Sequence, residues 1–463
     1  MGDGMQKKIL LICNHFAPDN TIAAVRISKL AKYLRQNGYE IQVIAEKKES
    51  ELEDEILKKD TEGIKVRYAY QSERYKRFYK NYNRIIQPFK KKRFDNLENR
   101  YRINPKTQKM EFYPFETAYP FLGSLDYIMG LIKQYDLFLN VKKILRQCGD
   151  FDYLITSYGD AFSLYAGLHY HKYHKRTPWI FDIRDAVYRY KFTPCYVGWI
   201  AKIYEKLIWK NADCILGVSK GICKRVPVRY RKKVHCLTNG YDIPDREGLS
   251  ENRLDPDKMI FTYTGSMYGG IQNLSVLFQC IRDAVEQKVI DETKIEFYYA
   301  GNASAYEIFK SQAGKYKLDK NCVTLGKLVR KDALQLQQQS DVLLVASHDY
   351  KDNEGGVITG KMLEYMSANK PIVALVTGDI EHSELADIIR KTGLGIAYEE
   401  AHKEDDYSRL YQYICDKYTE FIITGRIEHH PDRRELRKYD YRYLCRKLIK
   451  ILTQTEKKKE NNV

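Results

Sequence analysis

The chain has 463 residues, 44% of them apolar, enough for about three ordinary domains with buried cores. A short peptide, a disordered tail protein and a disulfide mini-scaffold are excluded. Lys and Arg number 78 against 61 Asp and Glu, and this net +17 suits an anionic partner, whether nucleic acid, a lipid surface or a phosphorylated substrate.

Taken in chain order, Ile9 to Cys13 is a continuous apolar run that reads as a buried strand. Five residues fall short of a secretory signal or a membrane span, so a cytoplasmic chain that does not cross a bilayer is expected. After a loop, Ile27, Leu30, Ala31 and Leu34 repeat at helical spacing, Asn37-Gly38 stops that helix, and Ile41 to Ala45 begins a second strand. The alternation returns at Tyr153 to Ser157, Phe162 to His171, Trp179 to Ile183, Ile200 to Asn211 and Cys214 to Ser219. Parallel α/β layering is the economical reading. Residues 46–150 interrupt it as a charged, aromatic insertion. Within 71–110, thirteen Lys or Arg face three acidic residues, a net +10 that holds more than half of the whole-chain excess.

The polar stretch Tyr241 to Lys258, with Pro244 and Pro256, marks a boundary between a domain at 1–242 and a second at 243–432. There the rhythm resumes with strands at 260–264, 295–300, 342–346 and 372–376 and helices at 274–286, 332–338 and 360–368. Residues 433–463 read as a final amphipathic helix, Arg434 to Gln454, and a solvated tail, Glu456 to Glu460. The ten cysteines form no CxxC pair and no His cluster has metal spacing, which reads as reduced thiols without structural zinc.

Three segments carry chemistry. In Phe16-Ala-Pro-Asp-Asn-Thr-Ile-Ala-Ala-Val-Arg26, small residues open a helix start and Arg26 stands where an anion would bind; a solvated or sheet-packed arginine is the alternative. Asp182, Arg184 and Asp185 end a buried strand at its carboxyl side, where open α/β sheets hold ligands, and a structural Asp–Arg lock competes with that role. In Gly355 to Pro371, Thr359 is an N-cap and Lys361 and Glu364 share a helix face. Lys361 suits a phosphate and Glu364 the two hydroxyls of a ribose; the alternative is a surface ion pair. Weaker strand-end signals are Ser157-Tyr-Gly-Asp160, Thr238-Asn-Gly-Tyr-Asp242 and Thr264-Gly-Ser-Met-Tyr-Gly-Gly270, with a simple tight turn as the alternative for each.

Together these segments resemble the family-4 glycosyltransferases of the GT-B fold, particularly the bacterial surface-polysaccharide subgroup. The likeness runs through the loop before Arg26, Trp179-Ile-Phe-Asp-Ile-Arg-Asp185, Thr238 to Asp242, Tyr263-Thr-Gly-Ser-Met-Tyr268, Gly360-Lys-Met-Leu-Glu-Tyr365 and Lys370-Pro371. It implies two Rossmann-like doubly wound domains facing a cleft, with the last helix crossing back to the first domain. It also implies a retaining, metal-independent transfer of a sugar from a nucleotide-diphosphate-sugar, a UDP-sugar, to a lipid-linked or oligosaccharide acceptor in capsule, exopolysaccharide or O-antigen synthesis. No further cofactor is expected. Gly360, Thr359, Lys361, Glu364, Gly265, Ser266 and Arg26 would bind the donor, and Asp182, Arg184, Asp185 and Glu354 would serve catalysis. Two departures stand out. Gly356 occupies the place of the first glutamate of a paired-Glu motif, with Glu354 nearby, and the Arg and Lys that hold the diphosphate after the Gly265 strand are replaced by Gly269, Gly270, Gln272 and Asn273. Backbone amides, Lys361 and either Lys327 or Arg330 would have to substitute. These departures leave open a catalytically silent nucleotide-sugar-binding subunit. The basic segment 71–110, with Phe78, Tyr79, Tyr82, Ile85, Ile86 and Phe89 among its cations, points to an anionic membrane at the inner face of the cell rather than to nucleic acid.

Overall fold

A computed structural model describes residues 6–48, 52–94, 101–103, 110–112, 120–184, 195–348, 355 and 357–461. The chain divides into two compact units. The first comprises Met1–Glu53, Leu57–Thr238 and Cys445–Val463; the second comprises Asp54–Ile56 and Asn239–Leu444.

The first unit is built on the strands Lys8–Cys13 (β1), Glu40–Glu46 (β2) and Lys65–Ala69 (β3), a separate hairpin of Tyr101–Ile103 (β4) and Met110–Phe112 (β5), and Tyr153–Tyr158 (β6), Trp179–Ile183 (β7), Cys214–Gly217 (β8) and Val234–Cys236 (β9). Seven of them form one parallel sheet in the order β3-β2-β1-β6-β7-β8-β9. β3 lies inside the 46–150 insertion, which the sequence reading left outside the sheet. Its mix of charged and apolar residues, Lys65-Val-Arg-Tyr-Ala69, reflects an edge position with one neighbour. The insertion also contributes two long helices, Glu73–Phe94 and Pro120–Leu145. The apolar stripe of helix Ile22–Gln36 is buried as the spacing predicts, and Thr21 caps it by accepting from Ala24 N–H. Trp179, Phe181 and Phe162 are fully buried in the core beneath, each worth about 1.5–3 kcal/mol in burial.

The second unit carries Met259–Thr264 (β10), Ile295–Ala300 (β11), Cys322–Thr324 (β12), Val342–His348 (β13), Ile372–Thr377 (β14) and Gly395–Glu399 (β15) in the parallel order β12-β11-β10-β13-β14-β15. Along β13, Val342, Leu344 and Ala346 enter one apolar cluster while Leu343 and Val345 enter another, so the strand is covered on both faces. Both sheets reverse strand order once, beside β1 and beside β10. In such sheets ligands bind outside the carboxyl ends of the strands at that point.

Two boundaries differ from the sequence reading. Helix Gly360–Tyr365 ends three residues early, because Asn369 takes a left-handed φ of 53° before Pro371. The C-terminal helix is broken into Arg433–Leu436 and Tyr441–Glu460, and the second piece belongs to the first unit from Cys445 on. The expected solvated tail is docked. Glu456 accepts from Lys7 Nζ and from the Tyr153 hydroxyl (2.7 Å), and Lys459 Nζ donates to the Asp213 carboxylate and to the Thr177 carbonyl. Among the described residues, no helix is long and apolar enough to cross a membrane.

Candidate functional site

In the second unit the sequence-predicted donor residues converge at the carboxyl end of β10. The chain leaves Thr264 through Gly265, whose φ of +95° favours glycine. A Cβ there would lie 2.9 Å from Lys361 Cε, so glycine also makes room for the lysine. Lys361 Nζ donates to the Ser266 carbonyl at 2.9 Å and lies 5.2 Å from the centre of the Tyr263 ring. Burial pulls its pKa down to about 8. Thr359 Oγ1 accepts from Met362 N–H at 3.4 Å and caps helix Gly360–Tyr365. Six residues make only a small macrodipole, which leaves the Lys361 ammonium as the main positive charge for an anion here.

Lys361 and Glu364 do not pair with each other. Glu364 Oε2 accepts from Arg330 Nε at 3.2 Å and Oε1 from Gln337 Nε2 at 2.8 Å. Among the described residues each oxygen therefore keeps a lone pair, and the side chain is 16% exposed, enough to accept two hydroxyl groups. Arg330 Nη2 donates to Asp245 Oδ2 at 2.7 Å, and its buried Nη1 has no protein partner among the described residues. Behind it, Gln337 Nε2 also reaches Thr264 Oγ1 (3.2 Å) and Gln337 Oε1 accepts from Arg246 Nη2 (2.6 Å). Thr264 N–H donates to the Tyr365 hydroxyl at 2.9 Å. Burial lowers the pKa of Arg246 to about 10. The sequence reading missed Gln337 and Arg246. Gln337 follows the buried Leu334 by three positions and is itself fully buried, so a polar residue on an apolar helix face was the available signal.

In the first unit the picture is different. Arg26, expected to bind an anion, is 1% exposed and spends its guanidinium on Asp182, with Nη2 to Oδ1 at 2.7 Å and Nε to Oδ2 at 3.1 Å, and on the carbonyls of Leu237 and Thr238. Asp182 also accepts from Ser157 Oγ at 3.0 Å. Buried together, the pair forms a structural lock that joins the first helix to β7 and to the residues just after β9. Arg184 stays at the edge, half-buried, with Nη2 on Asn14 Oδ1 (2.7 Å) and Nη1 on the Ala23 carbonyl (2.9 Å). Asn14 Nδ2 donates to Asp160 at 3.1 Å, and a side chain at Gly159 would overlap both Asn14 and Arg184. Beside them His15 Nδ1 contacts Asp19 (2.5 Å) and Nε2 contacts Lys48 Nζ (2.7 Å). Burial lowers the Lys48 pKa. Sequence reasoning named neither Asn14 nor His15. Asp185 and Glu354 lie outside the described residues.

Residues 258–408, from β10 to the first turn of helix Lys403–Thr424, match the model of the family described as glycosyl transferases group 1. No curated protein matches the chain in sequence. Among solved structures, the sucrose-phosphate synthase from Thermosynechococcus elongatus is 12% identical with a TM-score of 0.58, covering 97% of this chain and 98% of its own. The α,α-trehalose 6-phosphate synthase from Burkholderia multivorans is 10% identical with a TM-score of 0.60, covering 99% and 98%. The lipopolysaccharide outer core galactosyltransferase WaaB is 14% identical with a TM-score of 0.55, covering 96% and 99%. The chain has the α/β, two-domain GT-B fold. The group 1 match across its second unit supports a glycosyltransferase of GT-B type. Such a protein binds a nucleotide-sugar donor and a sugar acceptor.

Proposed function

We propose that this chain is a retaining, metal-independent glycosyltransferase that moves a sugar from a UDP-sugar to a lipid-linked saccharide in the synthesis of capsule, exopolysaccharide or O-antigen. The observation that carries the reading is a half-buried cation, Lys361, on the same short helix as a carboxylate, Glu364, that is oriented by Arg330 and Gln337 and partly exposed. Glu364 takes the two ribose hydroxyls. Lys361 exchanges the Ser266 carbonyl for a diphosphate oxygen and stabilises the negative charge that grows as the sugar–phosphate bond breaks. Arg330 Nη1 supplies a further donor in place of the missing arginine and lysine. In the first unit, Arg184 and its neighbours Asn14 and Asp160 line the acceptor side.

The membrane part of the reading draws on exposed apolar side chains. On helix Glu73–Phe94, Phe78, Ile85 and Phe89 are exposed along one face among Arg74, Arg77, Lys80 and Arg84; on helix Pro120–Leu145, Phe121, Ile128, Ile132, Tyr135 and Leu139 form a second exposed stripe. Tyr75, Tyr79 and Tyr82 stack on one another and Tyr82 donates to Asp126, so these rings serve the helices themselves. An apolar stripe flanked by cations suits the inner face of an anionic membrane, where each Lys or Arg adds about 1 kcal/mol.

A thermal-shift screen of nucleotide-sugars tests the donor half. A UDP-sugar should raise the melting temperature of the wild type in proportion to its logarithmic concentration and leave Glu364→Ala unmoved. No response to any donor or free nucleotide would overturn the reading. Flotation with anionic vesicles tests the membrane half, with salt-sensitive binding expected.

A further inference from the structure

Past the donor residues, the second unit brings together two histidines that lie twenty positions apart in the chain. His382 sits in the loop that follows β14, and His402 closes the single 3-10 turn Glu400–His402 after β15. Their ring centres are 5.3 Å apart. One ring nitrogen of each and a carboxylate oxygen of Glu381 all lie within 4.8 Å of one another. Two further observations point to a ligand. His402 Nε2 is buried without a hydrogen-bond partner among the described residues, a state that costs about 1–3 kcal/mol when nothing fills it. His382, a residue with a Cβ, is held at a left-handed φ of 56°.

The two segments are fixed side by side by their own backbone. Ser383 N–H donates to Glu399 Oε1 at 2.6 Å and Gly378 N–H to Glu400 Oε2 at 2.8 Å, which clips the loop 378–383 against the turn that bears His402. Those carboxylates are spent on the clip, while Glu381 and His382 project outward and are exposed. Metal–ligand bonds of about 2.0–2.2 Å require donor atoms roughly 3.3 Å apart in a tetrahedron, so the trio closes by at most about 1.5 Å. Two exposed side chains can rotate that far.

We propose that Glu381, His382 and His402 bind one divalent ion of the zinc type. Two imidazoles and one carboxylate are the ligands of zinc, cobalt or nickel; calcium and magnesium prefer all-oxygen sets. Three protein ligands leave a fourth position for water. The ion ties β14's loop to β15's turn. Because Glu384 N–H donates to the Gly355 carbonyl at 2.7 Å, it also steadies the segment that leads into the Lys361 helix. This role is structural, and it holds whether or not the chain transfers sugar.

The test is titration of the purified full chain with Co2+, followed by its absorption spectrum, in the wild type and in His402→Ala and His382→Asn. Asparagine tolerates a left-handed φ, so His382→Asn keeps the loop, and equal melting temperatures without metal confirm that it is folded. One equivalent should bind with an imidazole and carboxylate spectrum that lacks thiolate-to-cobalt charge transfer. Both variants should bind at least tenfold more weakly, and Zn2+ should displace Co2+ from the wild type. Unchanged binding in either variant, a thiolate spectrum, or no binding at 100-fold molar excess would each overturn the proposal.

Discussion

At the carboxyl end of β7, Asp182 is 1% exposed and gives its oxygens to Arg26 and Ser157; in the second unit, Glu364 is also held by an arginine but remains partly exposed. Both carboxylates stand where open α/β sheets collect ligands, and both have a cation in the neighbouring sequence. What separates them is burial. A bidentate Arg–Asp pair closed in the interior leaves no approach for a substrate, whereas Glu364 is oriented from behind by Arg330 and Gln337 and is 16% exposed in front. Charge at a strand end therefore locates a polar network, and the access left to its oxygens decides whether the network is structural or binding.

The largest expected effect comes from breaking the closed pair. Asp182→Ala should leave the Arg26 charge buried and unpaired and cost about 3–5 kcal/mol in denaturant unfolding, with donor affinity of the folded protein within twofold of wild type. A loss of turnover without a loss of stability would instead give Asp182 a direct role and collapse the contrast. Glu364→Ala should do the opposite. It removes charge-assisted bonds worth about 1.5–3 kcal/mol each, so donor affinity should fall about 10–100-fold or more by calorimetry while the unfolding midpoint moves little, since Arg330 keeps Asp245.

Lys361 sharpens the same contrast through pH. Its folded pKa of about 8 lies below the ordinary 10.5, so the native state releases a proton that the unfolded chain still holds between those values. Stability without ligand should thus rise with pH across that window, because the unfolded state binds more protons there. Diphosphate affinity should fall by up to tenfold per pH unit above about 8, with proton uptake on binding visible in calorimetry across buffers of different ionisation heat. The smallest effect is expected from Gly265→Ala, where the left-handed φ and the 2.9 Å approach of Lys361 Cε combine to shift the lysine. A several-fold rise in KM with a melting temperature lowered by a few degrees is the predicted outcome.

The two sheets were legible because parallel strands covered on both faces are continuous apolar runs, as at Ile9–Cys13 and Val342–Ala346. β3 escaped because an edge strand needs fewer apolar residues, and Lys65-Val-Arg-Tyr-Ala69 reads as solvated. Thr359, Lys361 and Glu364 were readable because a helix cap and an i,i+3 spacing are local. The partners that give those residues their properties are not. Gln337 lies 27 positions from Glu364 and Asp182 lies 156 from Arg26, and no local pattern reports that such pairs meet. The same limit hid His382 and His402, whose separation of twenty residues resembles no metal-binding spacing.

The helix Tyr441–Glu460 completes the first unit through Glu456 on Tyr153 and Lys459 on Asp213, although some 200 residues of the second unit intervene between Thr238 and Cys445. During synthesis this nesting sets an order. At about 5–20 residues per second, the ribosome takes roughly 10–40 s to pass from the last strand of the first unit to the helix that packs on it. Through that interval the first unit waits with the Tyr153 and Asp213 positions uncovered while the second can already close. A nascent chain of this design matures from its middle outward, and its first-made half is the last to become whole.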